Sequence, residues 1–264
     1  MATTQPTLYH TNNASIGLGG TIPGVQQNIH EESATQKAPL GRVMEFDDGR
    51  RFRYTKAGAA IAIGLICGND QSLGSVGEED TMTVTATAGN SEITLTDSAF
   101  ITGAGAYNGS FLMFTDGTGA GESYRIKSHT AAASNVITFQ LYDKLKTTPV
   151  SATGYCIVSS PYDQVLAATS HASPDATTDT WAVGAAPIAV QSGYYFWMQT
   201  KGVAAVLGDL SGGSAPYYGQ ELVVSNQHAG QVEGLTASLF GAPVGVCLLA
   251  NEDDEHWAVY LSLE

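Results

Sequence analysis

Gly193-Tyr-Tyr-Phe-Trp-Met-Gln-Thr-Lys-Gly-Val-Ala-Ala-Val-Leu207 is the densest run of large apolar residues in the chain, and its reading decides the fold. The alternation of side chains along a strand puts Tyr194, Phe196 and Met198 on one face and Tyr195, Trp197 and Gln199 on the other. Thr200-Lys201-Gly202 has turn chemistry, so the run predicts a hairpin whose returning strand is 203–207. Both faces of the first strand are apolar. The hairpin therefore belongs at the centre of a β-sheet domain, with Tyr195 and Trp197 in the core or at a subunit contact.

On the N-terminal side, Arg42-Val-Met-Glu-Phe-Asp-Asp-Gly-Arg-Arg-Phe-Arg-Tyr54 predicts a second hairpin around Asp48-Gly49, a dipeptide that supplies positive φ. Its arginines are expected on outward faces opposite Glu45 and Asp47, as cross-strand ion pairs. Residues 58–67 form a small-residue apolar segment suited to a buried strand or to an irregular loop and strand. Residues 68–80, rich in Gly, Ser and acids, mark a domain junction. From 81 onward short strands follow at regular spacing: 81–86, 92–96, 110–114, 122–126, 136–141 and 154–158. Turns fall between them, the signature of a small β-barrel or sandwich. After a linker at 167–180, strands resume at 181–190, 221–224, 244–249 and 257–263. The hairpin at 42–54 has too few strands to stand alone, so it joins this C-terminal sheet.

The expected fold is mainly β. An extended N-terminal arm (1–40) precedes a discontinuous outer β-sheet domain (41–77 plus 163–264), into which a small β-barrel or sandwich domain (78–162) is inserted. Folded structure is expected from Gly41. The arm has no helical or strand period and cannot bury enough to fold alone. It nevertheless carries apolar beads, Leu8, Tyr9, Ile16, Leu18, Ile22 and Val25. These, with Tyr195 and Trp197, are the candidate partner-binding residues.

The charge is −14, from 11 Lys and Arg against 25 Asp and Glu, which opposes a phosphate backbone and argues against nucleic-acid binding. No apolar run reaches the length of a membrane span, and the N-terminus has no secretory pattern, so synthesis in the cytoplasm is expected. Only 14% of residues are charged, so the surface is built from Thr, Ser, Asn, Gln and Gly, which suits a chain that spends its life against partners. Cys67, Cys156 and Cys247 are odd in number and far apart, and read as buried free thiols.

No catalytic, cofactor-binding or metal-binding set is predicted, and no cofactor. Gly117-Thr-Gly-Ala-Gly121 precedes an alternating, strand-like stretch and reads as a turn rather than a dinucleotide fingerprint. Glu252-Asp-Asp-Glu255 lacks the spaced oxygens of a calcium loop. Gly212-Gly-Ser-Ala-Pro216 misses a nucleophile elbow because Pro216 stands where glycine is needed. The six histidines form no paired motif.

Three stretches together resemble the auxiliary capsid proteins, also called decoration or cement proteins, of tailed bacteriophages. They are the arm leading into residues 41–58; Thr115-Asp-Gly-Thr-Gly-Ala-Gly-Glu-Ser-Tyr-Arg-Ile126 with Leu141-Tyr-Asp-Lys-Leu145 and Ser159-Ser-Pro-Tyr162; and residues 193–202. The resemblance implies a non-enzymatic virion component on the capsid exterior, a homotrimer that binds the major capsid protein and ties neighbouring capsomers. The alternative is a tail- or fibre-associated protein whose aromatic sheet binds glycans, with a hydrolase a third reading that no residue pattern supports.

Overall fold

A computed structural model describes residues 27–69, 83–97, 103–150, 153–169, 180–211, 215–236 and 241–264. All regular structure among them is β, in sixteen strands, and no helix occurs there. The chain divides into two compact units, Met1–Asp70 with Pro161–Glu264, and Gln71–Ser160.

The discontinuous unit opens with β1 (Val43–Glu45), β2 (Arg51–Lys56) and β3 (Ile66–Asn69). β1 and β2 form the expected hairpin, turning through Gly49 at φ +84°. The inserted unit contributes β4 (Thr83–Ala86), β5 (Glu92–Thr96), β6 (Phe111–Phe114), β7 (Ser123–His129), β8 (Val136–Leu141) and β9 (Tyr155–Val158). They form one antiparallel sheet in the order β4-β5-β8-β7-β6-β9. Period-2 burial explains it. Ile93, Leu95, Leu112, Phe114, Tyr124, Ile126, Ile137, Phe139, Leu141, Tyr155 and Ile157 all face one core, around which the sheet curls.

The chain returns to the first unit with β10 (Leu166–Ala167), β11 (Trp181–Ala185), β12 (Tyr195–Leu207), β13 (Glu221–Val224), β14 (Val232–Gly234), β15 (Gly245–Leu249) and β16 (His256–Ser262). The sheet runs β10-β3-β11-β12-β16-β15-β13-β14, with β2 paired to β12 and β1 to β2.

The central run corrects one expectation. Residues 195–207 are not a hairpin but a single thirteen-residue strand. Its first half pairs with β2, from Tyr195↔Lys56 to Gln199↔Phe52, and its second half with β16, from Lys201↔Ser262 to Leu207↔His256. The residues that looked like a turn form a bulge: the register skips Thr200, and Gly202 takes φ +88°. The Gln199 side-chain amide donates to the carbonyls of Lys201 (3.1 Å) and Val203 (2.9 Å), pinning the bulge.

The bulge also exchanges the faces of β12. Before it, Tyr195 and Trp197 face a core with Ile29, Met44, Phe52 and Tyr54, while Phe196 and Met198 face Ala57, Ile61, Cys67, Val165 and Val183. After it, Ala204 and Val206 join Ile66, Leu222, Trp257, Val259 and Leu261, and Val203 and Ala205 turn outward. Cys67 and Cys247 are buried as expected, whereas Cys156 is only half-buried; all three are free thiols.

Candidate functional site

Residues 27–40 correct a second expectation: folded structure does not wait for Gly41. Gln27, Ile29 and Ala38 are buried, and Ile29 and Ala38 pack on Met44, Phe52, Tyr54 and Trp197. Polar contacts fix the segment as firmly as the apolar ones. The Trp197 indole N–H donates to the Gln27 carbonyl (3.0 Å), and the Tyr54 hydroxyl donates to Gln27 Oε1 (2.7 Å). Gln27 Nε2 donates to the carbonyls of Glu31 and Tyr195 (both 2.8 Å). Ser33 and Tyr195 exchange backbone hydrogen bonds at 2.9 and 2.8 Å, and the Glu32 carboxylate accepts from the backbone and side-chain amides of Gln191 (both 2.7 Å). Tyr54 in turn accepts from the Lys37 amide at 2.9 Å. The N-terminal chain is thus strapped to β2 and β12 by a polar network whose bonds from Trp197 Nε1 and the Tyr54 hydroxyl to Gln27 are buried, while those of Glu32 to Gln191 are exposed; buried bonds of this kind give a segment one position rather than many.

Trp197 is 0% exposed, enclosed by its own chain, and Tyr195 is half-buried, its ring stacked on Tyr54 at 6.1 Å with Lys56 Nζ 5.9 Å from its centroid. Leu8, Tyr9, Ile16, Leu18, Ile22 and Val25 lie outside the described residues. The strap itself was not visible in the sequence. Its buried residues are isolated in a polar run, and no period announces them.

The basic cluster is satisfied by ion pairs, in part as expected. Arg51 pairs with Glu45 at 3.2 Å and Arg50 with Asp48 at 2.7 Å. The larger share falls on Glu264, which accepts from Arg51, from Arg53 (2.9 Å) and from the Thr200 hydroxyl (3.0 Å). Burial would raise the Glu264 pKa, but these donors hold it below the usual carboxylate range.

One constellation has the residue types of a hydrolase. Asp209, 2% exposed, accepts hydrogen bonds from the hydroxyls of Ser211 and Ser225 and from the Ser211 amide (2.8 Å), and lies 3.2 Å from His228 Nδ1. Burial pushes Asp209 up, yet these donors outweigh it and bring the pKa down to about 2. A catalytic triad needs the carboxylate at one imidazole nitrogen and the hydroxyl at the other. Here Ser211 Oγ approaches the same nitrogen as Asp209, at 3.5 Å. Ser225 Oγ accepts from the amides of Gln227 and His228 (2.9 and 3.0 Å), an ordinary turn. The cluster ties the loop after β12 to the β13–β14 turn. Ser214 lies outside the described residues.

The acidic loop after β15 is likewise occupied with its own chain. Asp253 accepts from the Leu210 amide (2.6 Å) and Asp254 from the Gln231 side chain (2.8 Å). Among the described residues no cluster of His, Cys, Asp and Glu could hold a metal ion, and no helix is long and apolar enough to cross a membrane. Gly117, Gly119 and Gly121 all take positive φ and lead into strand β7 rather than a helix, so the run is a turn. Comparison with protein-family models, with curated proteins and with solved structures finds no match for this chain.

Proposed function

We propose that this chain is a non-enzymatic structural protein of a tailed-bacteriophage virion. It is made in the host cytoplasm, binds the major capsid protein on the capsid exterior and, through copies of itself, ties neighbouring capsomers together. The observation that carries the reading is the strap: the N-terminal chain is fixed at Gln27 against Trp197, Tyr54 and Tyr195. The 26 residues before it hold Leu8, Tyr9, Ile16, Leu18, Ile22 and Val25. Extended, they span at most roughly 85–95 Å, enough to cross a neighbouring subunit. An apolar-beaded tether on a rigid anchor gains order when it finds a fixed groove, and many such tethers on one lattice give avidity from modest single contacts.

The strap also decides where to cut. Removal of residues 1–26, with 27–40 retained, is expected to leave the melting temperature unchanged and to abolish co-sedimentation with purified capsids. Undiminished co-sedimentation would remove the arm from the mechanism.

Exposed aromatics favour glycan binding as a second reading: Tyr217 and Tyr218 are 71% and 78% exposed on the turn before β13. Stacking on sugar rings uses such faces. Glycan-array binding that disappears in Tyr217→Ala would favour it over capsid binding.

A further inference from the structure

Beyond the bulge, β12, β16 and β15 present an outward face that an open antiparallel sheet does not ordinarily leave to water. Val203 stands opposite Tyr260, which stands opposite Val246; in the next outward row Ala205 faces Ala258, which faces Leu249. Val203, Tyr260 and Leu249 are 54%, 39% and 61% exposed, while the alternate residues Ala204, Val206, Cys247, Val259 and Leu261 fill the core beneath. Solvated faces of such sheets normally carry Thr, Lys, Glu or Gln at these positions. Here six successive outward positions are apolar on both sides of the central strand.

The two ends of this strip differ in charge. At one end Lys201 pairs with Arg51 and with Ser262, with Arg53 one outward position further along β2, so three of the chain's 11 Lys and Arg stand together. At the other end, Leu207 and His256 border the β15–β16 loop, where Glu252, Asp253, Asp254 and Glu255 are exposed. Arg51 and Arg53 pair with Glu45 and Glu264, and Arg50, beside Gly202, pairs with Asp48; Lys201 stands outside these pairs as a further cation at that end, in a chain whose overall charge is −14.

We propose that the strip is covered by the same strip of a second copy of this chain, in a two-fold contact whose axis lies in the interface across the strands. That symmetry reverses the strands, so the acidic end of each copy meets the basic end of the other. The outward apolar residues become the desolvated centre of an isologous interface with a charged rim. A two-fold axis along the strands would instead set four acidic side chains against four. The contact depends on this face alone and not on capsid binding, and it gives an even-numbered assembly rather than the trimer that the resemblance implies.

Sedimentation velocity of the full chain tests it. The wild type is expected to sediment as a dimer at tens of micromolar, and Val203→Lys with Leu249→Lys as a monomer whose circular dichroism and melting are those of a folded chain. Lys201→Glu is expected to weaken the dimer at least tenfold, and Lys201→Glu combined with Glu252→Lys and Glu255→Lys in the same chain to recover most of that loss. A monomeric wild type, a trimer, or an oligomer indifferent to Val203→Lys with Leu249→Lys would overturn the proposal, as would failure of the charge exchange to restore association. A dimer that does not bind capsids would leave this contact standing and sink the decoration reading instead.

Discussion

The indole N–H of Trp197 is where the N-terminal segment is tied to the sheet, because it satisfies a Gln27 carbonyl that has no water to turn to. Trp197→Phe keeps the aromatic body and orphans that carbonyl, so a loss of about 1–3 kcal/mol is expected in chemical denaturation. A loss within error would mean the strap is held by its apolar contacts alone. In the inserted unit, His129 has both ring nitrogens committed: Nε2 accepts from the Tyr107 amide at 2.8 Å, and Nδ1 therefore carries the proton donated to the Thr130 carbonyl at 2.7 Å. Burial lowers its pKa below the ordinary value of about 6.5. A depressed histidine adds stability that is complete above the unfolded pKa and is lost as pH falls through the folded one. Melting followed from pH 8 to pH 5 should therefore show decreasing stability below about pH 6.5, and His129→Gln should flatten that part of the slope. An equal slope in the variant would place the titrating group elsewhere.

β12 shows what a strand gains from length. It is the only described strand that pairs with β2, β11 and β16, and across the bulge its one continuous backbone serves three cores, two before the bulge and a third after it. Its neighbours fit closely: a methyl group at Gly208, just past the strand, would overlap the Trp257 ring, and one at Gly184 on β11 would meet Met198 Cγ at 2.6 Å. Gly208→Ala is accordingly expected to cost ~3 kcal/mol, since Trp257 is fully buried and cannot retreat without opening the core; a neutral effect in thermal unfolding would contradict the packing described. The alternation that assigned Tyr195 and Trp197 to one face and Phe196 and Met198 to the other was legible in the sequence, as were most strand positions, because period-2 burial is local. The choice between a turn and a bulge at Thr200-Lys201-Gly202 was not. Glycine at positive φ serves either, and the decision rests with β2 and β16, which lie about 150 residues upstream and 60 downstream in sequence. Residues 27–40 were illegible for a similar reason: Ile29 and Ala38 are buried by distant partners, without any repeat of their own.

At the scale of the whole chain, the inserted unit leaves and re-enters the first unit on neighbouring strands. β3 ends at Asn69, and β10 pairs with it through Leu166↔Gly68. Antiparallel partners lie about 5 Å apart, so a few residues can replace the excursion. Replacement of residues 71–160 by a short Gly-Ser linker is expected to leave a cooperatively unfolding β protein, because among the described residues the cores that contain Trp197, Trp257 and Phe196 are built from side chains of 27–69 and 161–264. Loss of cooperative unfolding would make the two units one folding unit. The strap, the beaded chain before it and the outward apolar strip are the features on which the proposal of a contact-making structural protein rests. If the proposed function holds, a phage encodes this chain, and electron microscopy of that phage's particles, at a resolution that traces β12 and its strap, tests the proposal most directly. The predicted result is density for this fold on the outer capsid surface, with the chain before Gln27 lying along a neighbouring subunit. Particles whose capsid exterior lacks the fold, or that carry it only on the tail or its fibres, would contradict the account.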